Sequence, residues 1–150
     1  GADTKELAKR DFNITAVDVN KEVEEYFTDK DKKHISLVIG PIENFEFGHY
    51  DLVYAKSSIV FLSPKKFYKV LKNIKTSLNK NSIFAARLWG IKDSENVPGK
   101  NIHTFPSLDE IHKIFDGFEF LQTGEHEKDR IDASGKIKHW HFIDIIVKKN

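Results

Sequence analysis

The sequence contains neither cysteine nor methionine in its 150 residues. Without cysteine the chain can form no disulfide and no thiolate nucleophile, and this absence leaves the compartment open. Methionine is absent although a domain of this size usually has a few, so no initiator residue is present. No apolar run approaches the roughly 20 residues that a membrane-spanning helix needs. We therefore expect no cysteine chemistry and no membrane partner.

Charge of one sign is also scarce, because 24 Lys and Arg residues are balanced by 23 Asp and Glu residues. The net charge of +1 gives no strong field that would favour nucleic acid or an anionic membrane. A hydrophobic share of 39% with 12 Phe is typical of a packed globule. We expect residues 1–150 to form a single domain with its own core, whose partner is a small molecule.

Several helix starts are visible in the sequence. Ser63-Pro64 places serine at an N-cap and proline at the first helical position. Ser107 followed by Glu110 is a capping-box pattern, and Asp3 or Thr4 can cap a short first helix. In the helix after Ser63, apolar residues recur every three or four positions and predict one buried face: Phe67, Val70, Leu71, Ile74 and Leu78.

Strand-like segments alternate with these helices, and the alternation predicts an α/β fold of the Rossmann-like kind. A mainly parallel sheet with helices on both faces is expected. The last two strands have no helix between them, so they should form an antiparallel C-terminal β-hairpin. The predicted strands are 13–19, 35–39, 50–55, 82–89, 118–124 and 140–147, with a polar helical stretch at 21–33 and loops at 90–105 and 125–138.

The pattern at the start of the chain is typical of one half of a nucleotide-binding site. Gly1 lets the backbone approach a ligand closely, and the helix after it offers free N–H groups. Asp18 ends an apolar strand, where its carboxylate can accept hydrogen bonds from the hydroxyls of a ribose. The alternatives are an ordinary helix cap for Gly1 and an N-cap for the helix starting near Asn20 for Asp18. An acid in this position serves NAD and other nucleotides equally well.

Four stretches, taken in order, carry a family resemblance. Residues 1–18 resemble the end of a glycine-rich motif with the following helix and strand, and residues 50–55 resemble a fourth-strand motif. Residues 77–84 resemble the turn before a fifth strand, and 139–141 resemble a subgroup pattern. Together the sequence is similar to class I S-adenosylmethionine (SAM) dependent methyltransferases, near the small tellurite-resistance-type enzymes. The resemblance implies SAM as cofactor, methyl transfer to a small-molecule acceptor and a cytoplasmic location, with the first strand and the start of the glycine-rich loop lacking here.

The resemblance also implies roles for particular residues. The cofactor-binding residues would be Gly1, Asp18, Val19, Ile42, Glu43, Ala55 and Lys56. The substrate-binding residues would be Ser57, Arg87 and Trp89, although Trp89 could equally be part of the core.

A general base is needed only if the accepting atom carries a proton. The candidates are His139, His141, His103 and Asp51. His139 and His141 share one face of a strand, but without a third ligand we expect no metal site. The competing interpretation is that an imidazole packs or hydrogen-bonds at the edge of the sheet.

Two rival functions stay open. An NAD-dependent oxidoreductase would use the same acid after the second strand, although the terminal hairpin and the absence of a second substrate domain disfavour it. A non-catalytic SAM-binding or interaction module of the same fold is the other. Oxygen, nitrogen, sulfur and metalloid acceptors, and any oligomeric state, are compatible with these residues.

Overall fold

A computed structural model describes residues 1–100, 102–131 and 134–150. The chain divides into two compact units, Gly1–Glu46 and Phe47–Asn150. No helix in the described residues is long and apolar enough to cross a membrane.

The first unit is built on a pair of parallel strands. Helix α1 (Ala2–Ala8) precedes β1 (Ile14–Asp18), which pairs in parallel with β2 (Ile35–Ile39) so that Asp18 lies opposite Ile39. Three short 3-10 helices complete it: Lys21–Tyr26, Asp31–Lys33 and Ile42–Asn44. A small core forms where Ala8, Phe27 and Ile35 are buried together.

Two local predictions for this unit were wrong. The first helix is capped at Gly1 with no side-chain bond, because Asp3 and Thr4 already lie inside the helix. The stretch 21–33 is not one helix but two 3-10 helices, because the Asp31 carboxylate accepts hydrogen bonds from both the N–H and the hydroxyl of Thr28. Such short polar side chains compete with the helical backbone bonds.

The second unit is a four-stranded sheet with two helices. Its elements are β3 (Tyr50–Lys56), α2 (Pro64–Ser77), β4 (Leu78–Trp89), α3 (Leu108–Ile114), β5 (Phe118–Ile131) and β6 (Ile137–Lys149). The strand order is β3-β4-β6-β5, with only β3 and β4 parallel. The sheet is therefore mixed rather than mainly parallel, because β6 follows β5 without a crossover helix and lies between β4 and β5.

Both helices of this unit pack on one face of the sheet. Helix α2 begins after Ser63 as predicted and buries Phe67, Val70, Leu71 and Ile74. The Ser107–Glu110 capping box of α3 is confirmed, and Phe115 after it stacks on Phe84 of β4 at 5.3 Å. The two helices meet where the Lys75 ammonium donates to the Ile114 carbonyl. Helices on both faces stay a prediction for the whole chain.

The C-terminal hairpin is confirmed as antiparallel but is longer than predicted. Strand β5 runs to Ile131 and β6 begins at Ile137, so most of the predicted loop 125–138 is paired strand. The prediction of a loop was wrong because charged residues of this segment pair with opposite charges on the facing strand, as His139 does with Asp129. Asp132 and Ala133 of that predicted loop, and Asn101 of the loop predicted at 90–105, lie outside the described residues.

Candidate functional site

The candidate residues of the first unit meet at one edge of its strand pair. β1 and β2 are parallel and end together, with the Gly40 N–H donating to the Asp18 carbonyl at 2.8 Å. Val19 leaves β1 at this edge and is 71% exposed. Ile42 and Glu43 begin the 3-10 helix just after β2 and are half-buried. An exposed acid, an exposed valine and a half-buried isoleucine thus share the edge where α/β sheets bind ligands.

Asp18 has one oxygen engaged by its own chain. Its Oδ1 accepts the N–H of Asn20 at 2.9 Å, and Asn20 in turn caps the 3-10 helix by accepting from the Glu22 N–H at 3.0 Å. The alternative predicted from the sequence, Asp18 as the N-cap of this helix, is not met, because Asn20 is the N-cap residue. In the described part of the chain the second oxygen of Asp18 accepts no hydrogen bond. Because a carboxylate has about four acceptor positions, capacity for hydroxyl donors is left.

Gly1 lies at the N-cap of α1, where its carbonyl accepts the Lys5 N–H at 3.0 Å. A Cβ placed on Gly1 would meet Phe27 and Tyr26 only at 3.9 Å, an ordinary contact. The fold of this unit does not itself demand glycine here, so any such demand would come from a ligand.

In the second unit, the candidate residues follow the parallel pair β3–β4. Ala55 is buried opposite Ala86, and Lys56 lies opposite Arg87. Ser57 comes next with a φ of +52° and donates its N–H to the Arg87 carbonyl at 2.8 Å. A non-glycine residue in this left-handed region stores strain, which is found disproportionately at functional sites.

The Arg87 guanidinium already has a carboxylate partner. Its Nε and one terminal nitrogen donate to the two oxygens of Asp144, each at 2.7 Å. This bond raises the pKa of Arg87 and lowers the pKa of Asp144. The guanidinium also lies 5.2 Å from the centre of the Phe142 ring. Arg87 is thus a fixed, paired cation rather than an open anion receptor.

Trp89 ends β4 and is 5% exposed, so the interpretation that it belongs to the core is met. It lies in a group of aromatic rings that we call the Trp89 cluster. Its other members, with centroid distances from Trp89 of 4.9, 6.0, 6.1 and 5.8 Å, are Phe61, His103, Phe105 and Trp140. All of them come from segments beyond the carboxyl ends of β3 and β4 or from β6.

The two histidines of β6 differ in environment. His141 is fully buried: its Nδ1 accepts the Lys92 N–H at 3.2 Å, and its Nε2 lies 3.1 Å from a Glu125 oxygen. Because Nδ1 is an acceptor, Nε2 carries the proton and donates to Glu125. Both nitrogens are thereby occupied, as the competing interpretation predicted, but on an inner strand rather than at the edge of the sheet.

His139 is more exposed and lies between two carboxylates. Its Nδ1 is 2.7 Å from Asp129 and its Nε2 is 3.3 Å from Glu127. The hydrogen bond to Asp129, supported by Glu127, raises the pKa of His139. Among residues 1–100, 102–131 and 134–150, no group of His, Asp or Glu has the geometry to hold a metal ion.

A buried ion group near Trp89 was missed from the sequence. Lys138 is 7% exposed, and its ammonium pairs with Glu95, lies 3.9 Å from Asp93 and lies 3.5 Å from the Trp140 ring centre. Asp93 is itself buried and accepts the N–H groups of Glu95 and His141. Asp93 and Glu95 are more than 40 residues from Lys138 in sequence, and no local pattern links them to it.

Comparison with solved structures gives the same fold with low sequence identity. TehB from Haemophilus influenzae superposes with a TM-score of 0.74 at 19% identity, covering 92% of this chain and 50% of that chain. The N-methyltransferase NodS from Bradyrhizobium japonicum, in complex with S-adenosylhomocysteine, gives 0.70 at 14%, with 99% and 72% covered. A 1,6-didemethyltoxoflavin N1-methyltransferase from Burkholderia thailandensis, also with S-adenosylhomocysteine, gives 0.67 at 12%, with 100% and 67% covered.

The chain spans about half the length of the Haemophilus protein. No curated protein sequence matches it. A family profile does match, and it covers residues 1–86, which hold most of the candidate cofactor residues described above. With more than half of its length matched, the chain belongs to the methyltransferase domain family.

Proposed function

We propose that this chain performs SAM-dependent methyl transfer to a small-molecule acceptor. The observation that carries the proposal is the edge formed by Asp18, Val19 and Ile42 within a segment that matches the methyltransferase profile. The solved relatives NodS and the toxoflavin enzyme hold S-adenosylhomocysteine, the product of such a transfer.

In the first unit, Asp18 is the residue that we expect to hold the cofactor ribose. The oxygen not engaged by Asn20 would accept from ribose hydroxyls, and bonds to a charged acceptor are the stronger kind. The exposed Val19 and the half-buried Ile42 would contact the two faces of the adenine, with Glu43 beside them. Gly1 has no side chain between its backbone and a ligand, which fits a close backbone approach.

In the second unit, Ala55 and Lys56 are proposed to contact the cofactor, and Ser57 and Trp89 the acceptor. When bound, the cofactor supplies an electrophilic methyl group on a sulfonium. The task of these residues is to align the acceptor with it, and alignment can contribute effective molarities of roughly 10⁵ M or more. Arg87 would act on the methyl acceptor only indirectly. Its backbone carbonyl accepts the N–H of Ser57 and so positions Ser57, which would contact the methyl acceptor.

For an acceptor that carries a proton, His139 is the better base candidate of the two histidines on β6. Its side chain is about one third exposed, whereas the side chain of His141 is fully buried. Its raised pKa keeps the ring protonated further toward neutral pH, so it would act as a base only above that range.

The test is the Asp18→Ala variant of the full chain. We expect binding of S-adenosylhomocysteine to weaken by about 1.5–3 kcal/mol, the scale for hydrogen bonds to a charged group. Isothermal titration calorimetry measures this directly.

Asp29→Ala is the matched control, because it removes another exposed carboxylate of the same unit outside the shared edge. An unchanged dissociation constant in Asp18→Ala would remove the ribose role. Thermal stabilisation by NAD but not by SAM or S-adenosylhomocysteine would overturn the proposal as a whole.

A further inference from the structure

Two polar ring atoms of the Trp89 cluster are buried without a partner. Neither the Nε1 of Trp89 nor the Nδ1 of His103 has a hydrogen-bond partner among residues 1–100, 102–131 and 134–150. Protein interiors leave few such atoms unpaired, since the group loses water and gains nothing in exchange. Two of them in one cluster call for an explanation.

The two rings are held in place from both sides. Their centroids are 6.0 Å apart with perpendicular planes, and the Phe61 ring contacts both, at 4.9 Å from Trp89 and 5.4 Å from His103. Thr104 ties the segment of His103 to that of Phe61, because its N–H donates to the Val60 carbonyl and its hydroxyl to the Leu62 carbonyl. These contacts fix the positions of the Trp89 and His103 rings.

The ring that contacts both Trp89 and His103 is itself exposed to solvent. Phe61 is 54% exposed although it touches both inner rings, and Ile91 and Ile102 beside this loop region are 48% and 64% exposed. A turn of the Phe61 side chain would give a ligand access to both polar atoms. Apolar walls with a few convergent polar groups are the usual make-up of a small-molecule site.

Charge at the cluster favours a neutral ligand. The Lys138 ammonium lies 4.9 Å from the centre of the Trp89 ring, but it is already paired with Glu95 and lies near Asp93. No unmatched charge is left in this group to receive an ion, and burying an unpaired ion is costly.

We propose that the Trp89 cluster binds the hydroxyl group of a neutral aromatic ligand, a phenol-type acceptor. The indole N–H can only donate, so it would donate to the phenol oxygen, and the phenol O–H would donate to Nδ1 of His103. A hydroxyl group can satisfy a donor and an acceptor with a single oxygen. The aromatic rings of the cluster supply edge-to-face contacts for a planar ligand. This inference rests on the proposed function, for which it names the class of acceptor.

The test compares 4-methylphenol with 1,4-dimethylbenzene, which differ only by a hydroxyl and a methyl group. The full chain, labelled with ¹⁵N, gives one indole signal for each of its two tryptophans, and the Trp140→Phe variant assigns them. We expect 4-methylphenol to move the Trp89 indole proton downfield and to bind at least about fivefold more tightly than dimethylbenzene. Trp89→Phe, which keeps an aromatic ring, should abolish that preference.

Equal affinity for the two compounds, or an unmoved Trp89 indole signal at saturating 4-methylphenol, would overturn the inference. The wild-type spectrum decides this even if Trp89→Phe fails to fold. Calorimetry with S-adenosylhomocysteine on the same sample separates the two proposals. Cofactor binding without a phenol response removes only the acceptor class, whereas a phenol response without cofactor binding leaves the Trp89 site standing and removes the methyl-transfer proposal.

Discussion

At Gly90 the backbone passes so close to the His141 ring that no side chain larger than hydrogen fits. An added Cβ would lie 2.1 Å from Nδ1 and 2.2 Å from Cε1 of that ring. The ring cannot move aside easily, because it is fully buried and held by Lys92 and Glu125. Glycine is required here by packing, since its φ is not in the left-handed region.

Gly90→Ala should therefore destabilise the protein by about 1–3 kcal/mol, the usual cost of overpacking a buried site. Urea denaturation followed by circular dichroism measures the loss. Gly48→Ala is the control, because nothing lies within 4 Å of its added Cβ.

The double variant Gly90→Ala with His141→Ala identifies the cause. If the ring is the obstacle, the double variant is less destabilised than the sum of the two single variants. Strict additivity would contradict the steric explanation.

The position of a candidate site residue in the fold could be predicted from the sequence when a strand end marked it. Asp18 was located because an apolar strand precedes it, and the structure places it at the end of β1. Lys138 and Asp93 could not be found in this way, because each reads as an ordinary surface charge in sequence. Only folding brings Lys138 against Trp89 and near the carboxylates of Asp93 and Glu95.

Among the elements, helices with complete local signals were predicted well. α3 begins after the capping box of Ser107 and Glu110, and α2 begins after Ser63 with proline in its first turn but no side-chain cap bond, so a few residues of local sequence mark both starts. The prediction of one helix over 21–33 was wrong because the hydrogen bonds from Thr28 to the Asp31 carboxylate outweighed a weak helical preference. The strands of the hairpin were predicted too short, because the pairing of charges across two strands does not show in any local sequence pattern.

The hairpin should respond to pH through His139. Its pKa is raised in the folded state by the hydrogen bond to Asp129, so the bond adds stability that is fully present below the unfolded value of about 6.5. That contribution is lost as pH rises through the folded pKa. We expect the difference in Tm between the wild type and His139→Gln to be largest near pH 5.5–6 and to shrink above neutrality.

Histidine NMR gives the pKa of His139 directly, and Asp129→Asn should lower it. His49→Gln is the control, because it removes an exposed histidine that precedes β3 and lies outside the hairpin. A Tm difference that is the same at every pH would show that His139 acts through packing alone.

At the scale of the whole molecule, the order of the strands in the sheets could not be predicted from the sequence. Alternation indicated α/β, and the two parallel pairs are present. The place of β6 between β4 and β5 depends on which sheet edge each strand finds, and neither composition nor periodicity encodes that choice.

The two units should also differ in their stability against local unfolding. The first has a two-stranded sheet over a cluster of three buried residues, whereas β4 and β6 are inner strands with Phe84, Leu88, Ile143 and Val147 fully buried. Hydrogen exchange should therefore be slower at the paired amides of β4 and β6 than at those of β1 and β2. Equal protection in the two sets would contradict this ranking.

Both tryptophans of the chain lie in the second unit, with ring centres 5.8 Å apart and the Lys138 ammonium against each. Intrinsic emission excited at the indole band therefore reports on one small region around β4 and β6. A positive charge 3.5 Å from the Trp140 ring centre should shift that emission, so Lys138→Met should change its wavelength. The first unit, whose aromatic residues are Phe and Tyr, is optically silent in the same window, which makes the fluorescence of this protein a local gauge rather than a global one.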